Sequence, residues 1–196
     1  MVSSVPAFAS DSAAGLPSPA KARIISAAGE LFAEHGVGGT SLQMIADTIG
    51  VTKAAVYHQF KTKDEIVVAA AEAEIARLEA VLDAAAAEPT PELTREVLLA
   101  GIVSLAVARR RMESTLAGDP VIVRFFARNE HLKQVLGRLY AMLMGDQPGP
   151  DGPMAAAMLT AAIGGAVMHP LAAGLDDEVL RSQLLRLARR FLALPD

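Results

Sequence analysis

An all-α fold of about nine helices is predicted by three observations on this 196-residue chain. Apolar residues make up 52 % of it while aromatics are only 4 % and tryptophan is absent. Alanine and leucine supply most of that apolar fraction, and both are strong helix formers. Apolar residues recur at spacings of three and four, with no stretch of strict alternation to mark a strand. Helix-start residues (Ser, Thr, Asp, Asn) punctuate the chain just ahead of these periodic runs. The absence of cysteine excludes a disulfide framework, a thiolate zinc site and a cysteine nucleophile together.

Residues 1–19, with three prolines and five serines and no basic start or apolar block, read as a disordered arm and not as a signal peptide. Lys21 to Glu34 carries Ile24, Ile25, Ala28, Leu31 and Phe32 at helical spacing, and His35-Gly36 ends that helix. Thr40 and Gln43 have the spacing of a capping box and open a second helix, with Leu42, Ile45, Ala46 and Ile49 as its apolar face. Gly50 stops it in the manner of a left-handed cap. Thr52 caps a short third helix to about His58, and Thr62 with Glu65 starts a long fourth one reaching about Glu88. Thr90-Pro91 and Asp119-Pro120 repeat an N-cap followed by proline. The first of these helices is expected to run to about Arg111. Asn129 divides the second stretch, which closes near Met144 before the turn-rich Gly145–Pro153. Asp176-Asp177-Glu178 places negative charge at the start of a last helix, with Leu180, Leu184, Leu187 and Phe191 on one face.

Gly152–Leu175 is 24 residues without Asp, Glu, Lys or Arg, long enough to span a membrane. Half of the residues from Met154 to Leu175 are Ala or Gly, which supply little transfer energy. The larger side chains, Met154, Met158, Leu159, Ile163, Val167, Met168, Leu171 and Leu175, trace a stripe expected on one helix side. A helix buried between two partners is therefore expected, not a membrane span.

Residues 40–60, TSLQMIADTIGVTKAAVYHQF, carry the functional signal. Two short capped helices joined through Ile49-Gly50-Val51 have the form of a helix-turn-helix. Ala46, Ile49, Val51 and Val56 fill the space between them. Thr52, Lys53, Ala54, Ala55, Tyr57 and His58 are left to project outward, and the two alanines leave room for close approach to a major groove. Such a second helix places its N-terminal residues at base edges.

Phe32, Gly36, Thr40, Ile45-Ala46, Gly50-Val51, Tyr57, Phe60 and Lys63 together resemble the long N-terminal signature of the tetracycline-repressor (TetR) family of transcriptional regulators. The resemblance covers about residues 21–68. One departure is Ala54-Ala55, where the family often has Gly-Thr, so base preference does not carry across. The resemblance implies a ligand-responsive, sequence-specific repressor, cytoplasmic, released from a palindromic operator by a small molecule. It divides the chain into the arm (1–19), a helix-turn-helix DNA-binding domain (20–66) and an effector-binding and dimerisation domain (67–196). It implies phosphate contacts at Thr40, Gln43, Lys61 and Lys63, a base-edge contact at Lys53, and base or backbone contacts at Tyr57 and His58. The implied partners are double-stranded operator DNA, a second copy of the chain and a small-molecule effector of unknown identity. No membrane partner and no cofactor are expected.

In the rest of the chain, the resemblance places dimerisation on residues 154–194. Gly164 and Gly165 would allow close helix approach, and Val167, Leu180, Leu184, Leu187 and Phe191 would supply apolar area. Met112, Phe125, Phe126, Leu136, Tyr140, Met144 and His169 are candidate lining for an effector cavity. Arg109-Arg110-Arg111 can neutralise an anionic effector or, more simply, complement a helix end. The fourth helix is expected to be the only element long enough to touch both the reading head and the cavity. Residues 1–64 hold five basic and five acidic groups, leaving 13 and 17 for the rest, where the net charge of −4 resides. A neutral head must therefore segregate its charges to bind DNA, with affinity strongly dependent on salt. The histidines at 35, 58, 131 and 169 lack metal-ligand spacing, and no glycine-rich phosphate loop or Gly-x-Ser-x-Gly elbow is present, so an enzyme is not expected. The alternative is a helical small-molecule or lipid carrier without specific DNA binding.

Overall fold

The structure, a computed structural model, describes residues 17–110, 120–145 and 151–192. Nine α-helices, one 3-10 turn and no strand occur among them. In chain order the helices are α1 (Pro19–Gly39), α2 (Leu42–Ile49), α3 (Lys53–Gln59), α4 (Lys63–Ala86), α5 (Pro91–Arg109), α6 (Pro120–Arg128), α7 (Glu130–Met144), α8 (Gly152–Met168) and α9 (Asp177–Phe191). The arm before Pro17, Met112, Arg111, Asp119 and residues 146–150 of the turn-rich segment lie outside the described residues.

Local chemistry sets most boundaries. Ser18, Thr52, Thr62, Thr90, Asn129 and Asp176 each cap a helix by accepting a backbone N–H from one of its first turns, as side-chain oxygens at this position do. Gly36 interrupts α1 with φ +71°, a conformation costly for any residue with a Cβ.

Two apolar clusters organise the helices. The first gathers Ile24, Ala28 and Phe32 of α1, Ile45 and Ala46 of α2, Val56 of α3, Phe60, and Ile66, Val67 and Ala71 of α4. The second gathers Ile75, Leu82 and Ala85 of α4 with Leu98, Leu99, Val103 and Val107 of α5, Val135, Leu139 and Leu143 of α7, and inward residues of α8 and α9. Helix α4 thus belongs to both, its 24 residues reaching about 36 Å at 1.5 Å each. It is not alone in this, contrary to the expectation from length. Val121 and Phe125 of the nine-residue α6 pack on the first cluster, and Phe125 packs on the second as well. A short helix laid across the junction reaches both clusters as well as a long one does.

The C-terminal helices correct two expectations. On α8, Leu159, Ile163 and Val167 are buried while Met154, Met158 and Met168 are exposed, so the expected single stripe is two opposed faces. On α9, Leu180, Leu184 and Ala188 face the core, whereas Leu187 and Phe191 are exposed. No helix among the described residues is long and apolar enough to cross a membrane.

The α4–α5 contact is close enough to require glycine. A Cβ at Gly101 would press on both methyls of Val81, the nearer overlapping and Cγ2 at 2.9 Å. Valine is stiff at χ1 and cannot swing aside. Gly101→Ala would gain about 1 kcal/mol of helix propensity but incur about 1–3 kcal/mol of overpacking, so a net loss is expected. A lowered denaturation midpoint in urea, and a smaller loss in Gly101→Ala combined with Val81→Ala, would verify this.

Candidate nucleic-acid interface

The helix-turn-helix is assembled by backbone chemistry at each joint. Helix α2 starts at Ser41, whose hydroxyl accepts from Met44 N–H at 3.1 Å. It ends at Gly50, φ +69°, where Gly50 N–H reaches Asp47 O at 3.2 Å and Val51 N–H reaches Ala46 O at 3.0 Å. These crossed bonds are a Schellman motif, which satisfies the last carbonyls and turns the chain sharply. The Arg23 guanidinium of α1 donates to Ile49 O at 3.1 Å, tying α1 to the same turn. Thr52 Oγ1 then accepts from Ala55 N–H at 3.2 Å and starts α3.

Val56 is fully buried and fixes the rotation of α3 on the first cluster. That rotation leaves Thr52, Lys53, Ala54, Ala55, Tyr57 and His58 exposed, the set expected to project outward. The Lys53 side chain has no hydrogen-bond or ion-pair partner among the described residues. Tyr57 is 52 % exposed, with Lys61 folded over it: Lys61 Nζ lies 4.6 Å from the ring centroid and donates to Tyr57 O at 2.8 Å. Cation and ring are thus held together at the exposed end of α3. His58 Nδ1 is 3.4 Å from Gln59 Nε2.

Three expectations are corrected here. Thr40 is not the cap of α2; it is 2 % exposed, and its hydroxyl is shared between Gly36 O (2.9 Å) and Leu31 O (3.2 Å). Gln43 is exposed but has no part in a capping box; its amide donates to Asp47 Oδ1 at 2.7 Å. Lys63 is half-buried, with Nζ donating to Val37 O at 2.6 Å and Gly38 O at 3.2 Å. At the start of α4, Thr62 accepts from Glu65 N–H (3.1 Å), while the Glu65 carboxylate takes Lys61 N–H (2.7 Å), one residue ahead of where a capping box would place it. The residue the sequence reading missed is Ser41. The only sequence signal for it was a second hydroxyl beside Thr40.

The remaining candidates are spread more widely. Phe125, Leu136, Tyr140 and Met144 are partly buried against the second cluster, and Phe126, 43 % exposed, stacks obliquely on Phe125 with centroids 5.6 Å apart. His169 is exposed and stands apart, capping the 3-10 turn Pro170–Ala172 by accepting from Leu171 N–H at 3.2 Å. Arg110 is committed to Leu175 O (3.0 Å) and Asp177 Oδ1 (2.6 Å), joining α5 to α9, and is not free for an anionic effector. Among the dimerisation candidates, Val167, Leu180 and Leu184 are buried in the chain's own core. Gly164 and Gly165 face open space, and Leu187 and Phe191 are 56 % and 52 % exposed.

A capped helix pair around a tight glycine turn, presenting a small, cationic and aromatic face, defines a DNA-binding helix-turn-helix protein. Residues 24–70 match the family described as bacterial regulatory proteins, tetR family. The chain is 32 % identical over 59 residues to the HTH-type transcriptional repressor AcnR of Corynebacterium diphtheriae, covering 30 % of this chain and 31 % of that repressor's length. The fold extends further. The fatty acid degradation regulator FadR from Bacillus halodurans superposes with a TM-score of 0.72 at 20 % identity, covering 89 % of this chain and 96 % of that one. A transcriptional regulator of the TetR/AcrR family from Thermobifida fusca gives 0.60 at 26 % identity, covering 86 % and 95 %.

Proposed function

We propose that the chain is a ligand-responsive repressor that binds a palindromic operator as a homodimer and is released by a small molecule. The observation that carries this reading is the outward set on α3, held in place by the buried Val56. Small Ala54 and Ala55 admit the helix to a major groove, and Lys53 at its first turn can reach guanine acceptors there. Residues 20–66 form the reading head, and 67–196 receive the effector and a second copy. Two heads related by a two-fold axis call for inverted half-sites about one helical turn, roughly 34–36 Å, apart. Footprinting of the purified protein on the DNA upstream of its own coding sequence tests the proposal, and failure to protect any segment there or in a genomic selection overturns it.

Lys53→Ala is expected to weaken operator binding by about 1–3 kcal/mol and to relax selectivity at one base pair. Binding to an operator set with each position varied would check this; equal loss on specific and random DNA would assign Lys53 to the backbone instead. The exposed Met154, Met158, Leu187 and Phe191 of α8 and α9 supply the apolar face for the second copy. Leu187→Glu is expected to shift sedimentation from dimer to monomer at micromolar concentration. A monomeric parent protein under the same conditions would contradict the dimer.

Effector release would act through the elements shared by both clusters, α4 and α6. A ligand that displaces either one changes the spacing of two heads bound to fixed half-sites. Typical coupling of about 1–3 kcal/mol would lower operator affinity roughly 5- to 150-fold, and operator must weaken effector binding by the same factor.

A further inference from the structure

Lys63 occupies a position where a lysine is locally unfavourable. It is the first residue of α4, and positive charge at a helix N-terminus opposes the macrodipole. The compensation lies 25 and 26 residues earlier in the chain. Helix α1 ends at Gly39, and the carbonyls of its last turn, Val37 O and Gly38 O among them, have no helical partner of their own. Lys63 Nζ donates to Val37 O and Gly38 O, and beside it the Thr40 hydroxyl is shared between Leu31 O and Gly36 O. Thr40 N–H adds a bond to Gly36 O at 3.2 Å. Thr40 is the one buried polar or charged residue among the described residues. Ser41, the cap of α2, follows it directly.

We propose that Thr40 and Lys63 are positioning residues: they form a polar joint that locks the first turn of α4 onto the α1–α2 connection and thereby sets the pose of α2 and α3, neither side chain being a phosphate ligand. The inference rests on the DNA-binding reading above. For Lys63 to reach a phosphate it would have to abandon two carbonyls, one of them part-buried, and a carbonyl left unpaired carries a desolvation cost. With the joint closed, α4 cannot tilt without carrying the α2 start with it.

The experiment uses the full chain, with affinity for the footprinted duplex measured across a salt series. Lys63→Met and Thr40→Val, each folded by circular dichroism, are expected to lose about tenfold in affinity, the size of a lost hydrogen bond. The slope of log affinity against log salt stays at the parent value in both. Lys63→Arg, which can donate to the same carbonyls, restores most of the affinity. The double variant loses little more than the worse single one, because the two residues serve one joint. In the free protein, amide exchange over residues 41–45 quickens in both single variants. A slope reduced by about 0.9 in Lys63→Met would make it a phosphate ligand and overturn the proposal. Unchanged affinity in both single variants, or full additivity in the double, would overturn it equally. Should Lys63→Met fail to fold, Thr40→Val and Lys63→Arg decide the matter by the same criteria. If the parent protein binds no duplex, the DNA reading fails by itself, and amide exchange still tests the joint.

Discussion

Ala55→Glu is expected to abolish operator binding, with a loss of a hundredfold or more, while leaving the protein as stable as before or slightly more so. The two effects separate because of where Ala55 sits. It is exposed on α3, three residues after the N-cap Thr52, whose hydroxyl already accepts Ala55 N–H. A glutamate three residues beyond a threonine cap completes a capping box and lies favourably in the helix dipole, which is worth about 0.3–1 kcal/mol. On DNA the same carboxylate enters a groove walled by phosphates and holds the helix away from the base edges. Like-charge juxtaposition at an interface costs several kcal/mol, and each 1.4 kcal/mol is tenfold in affinity. Ala55→Gln separates bulk from charge and should lose less. Binding titrations alongside thermal melts would measure both. Unimpaired binding by Ala55→Glu would mean that α3 does not enter the groove by this face.

The reading head was legible in the sequence wherever local chemistry has one solution. Gly50 between two apolar helix faces, Thr52 before Lys53-Ala54-Ala55, and Thr62 three residues before Glu65 each specify a boundary that the structure shows. Thr40 and Ser41 offered two adjacent hydroxyls, and the choice between them was not local. Thr40 is drawn inward to carbonyls of α1, Leu31 O and Gly36 O, partners that do not show at the start of α2. The destination of Lys63 depends on the end of α1, more than twenty residues away, so its charge alone suggested a phosphate. In α9 the error came from alanine. Leu180, Leu184, Leu187 and Phe191 are the larger residues, yet the core takes Ala188 in the next turn and turns Leu187 outward. Volume marks a stripe only when small residues are not also core, and this chain builds much of its core from alanine. On α8 the larger residues suggested one stripe, but a helix apolar all round does not mark which face turns inward, and the structure buries Leu159, Ile163 and Val167 while exposing Met154, Met158 and Met168.

The two-cluster organisation leads to the largest stability effect. Phe32→Ala is expected to destabilise the reading head by about 3–5 kcal/mol, a large fraction of the roughly 5–15 kcal/mol that holds a domain folded. Phe32 is 1 % exposed in the cluster that also holds Ile45, Val56, Phe60 and Ile66, so its removal leaves a cavity in the core of the head. Leu82→Ala, at an equally buried site on α4, should cost a comparable ~2–5 kcal/mol, but in the second cluster. The consequences differ because proteins open in local cooperative units. Loss of Phe32 should lower the temperature at which operator binding fails well below the temperature at which most helix melts. Loss of Leu82 should lower the main helical transition while binding at 25 °C stays close to that of the parent. Parallel melts followed by circular dichroism and by fluorescence of labelled operator would distinguish the two. Superimposable profiles for both variants would show that α4 and α6 fuse the clusters into one cooperative unit, and that effector binding could then reach the head through stability as well as through geometry.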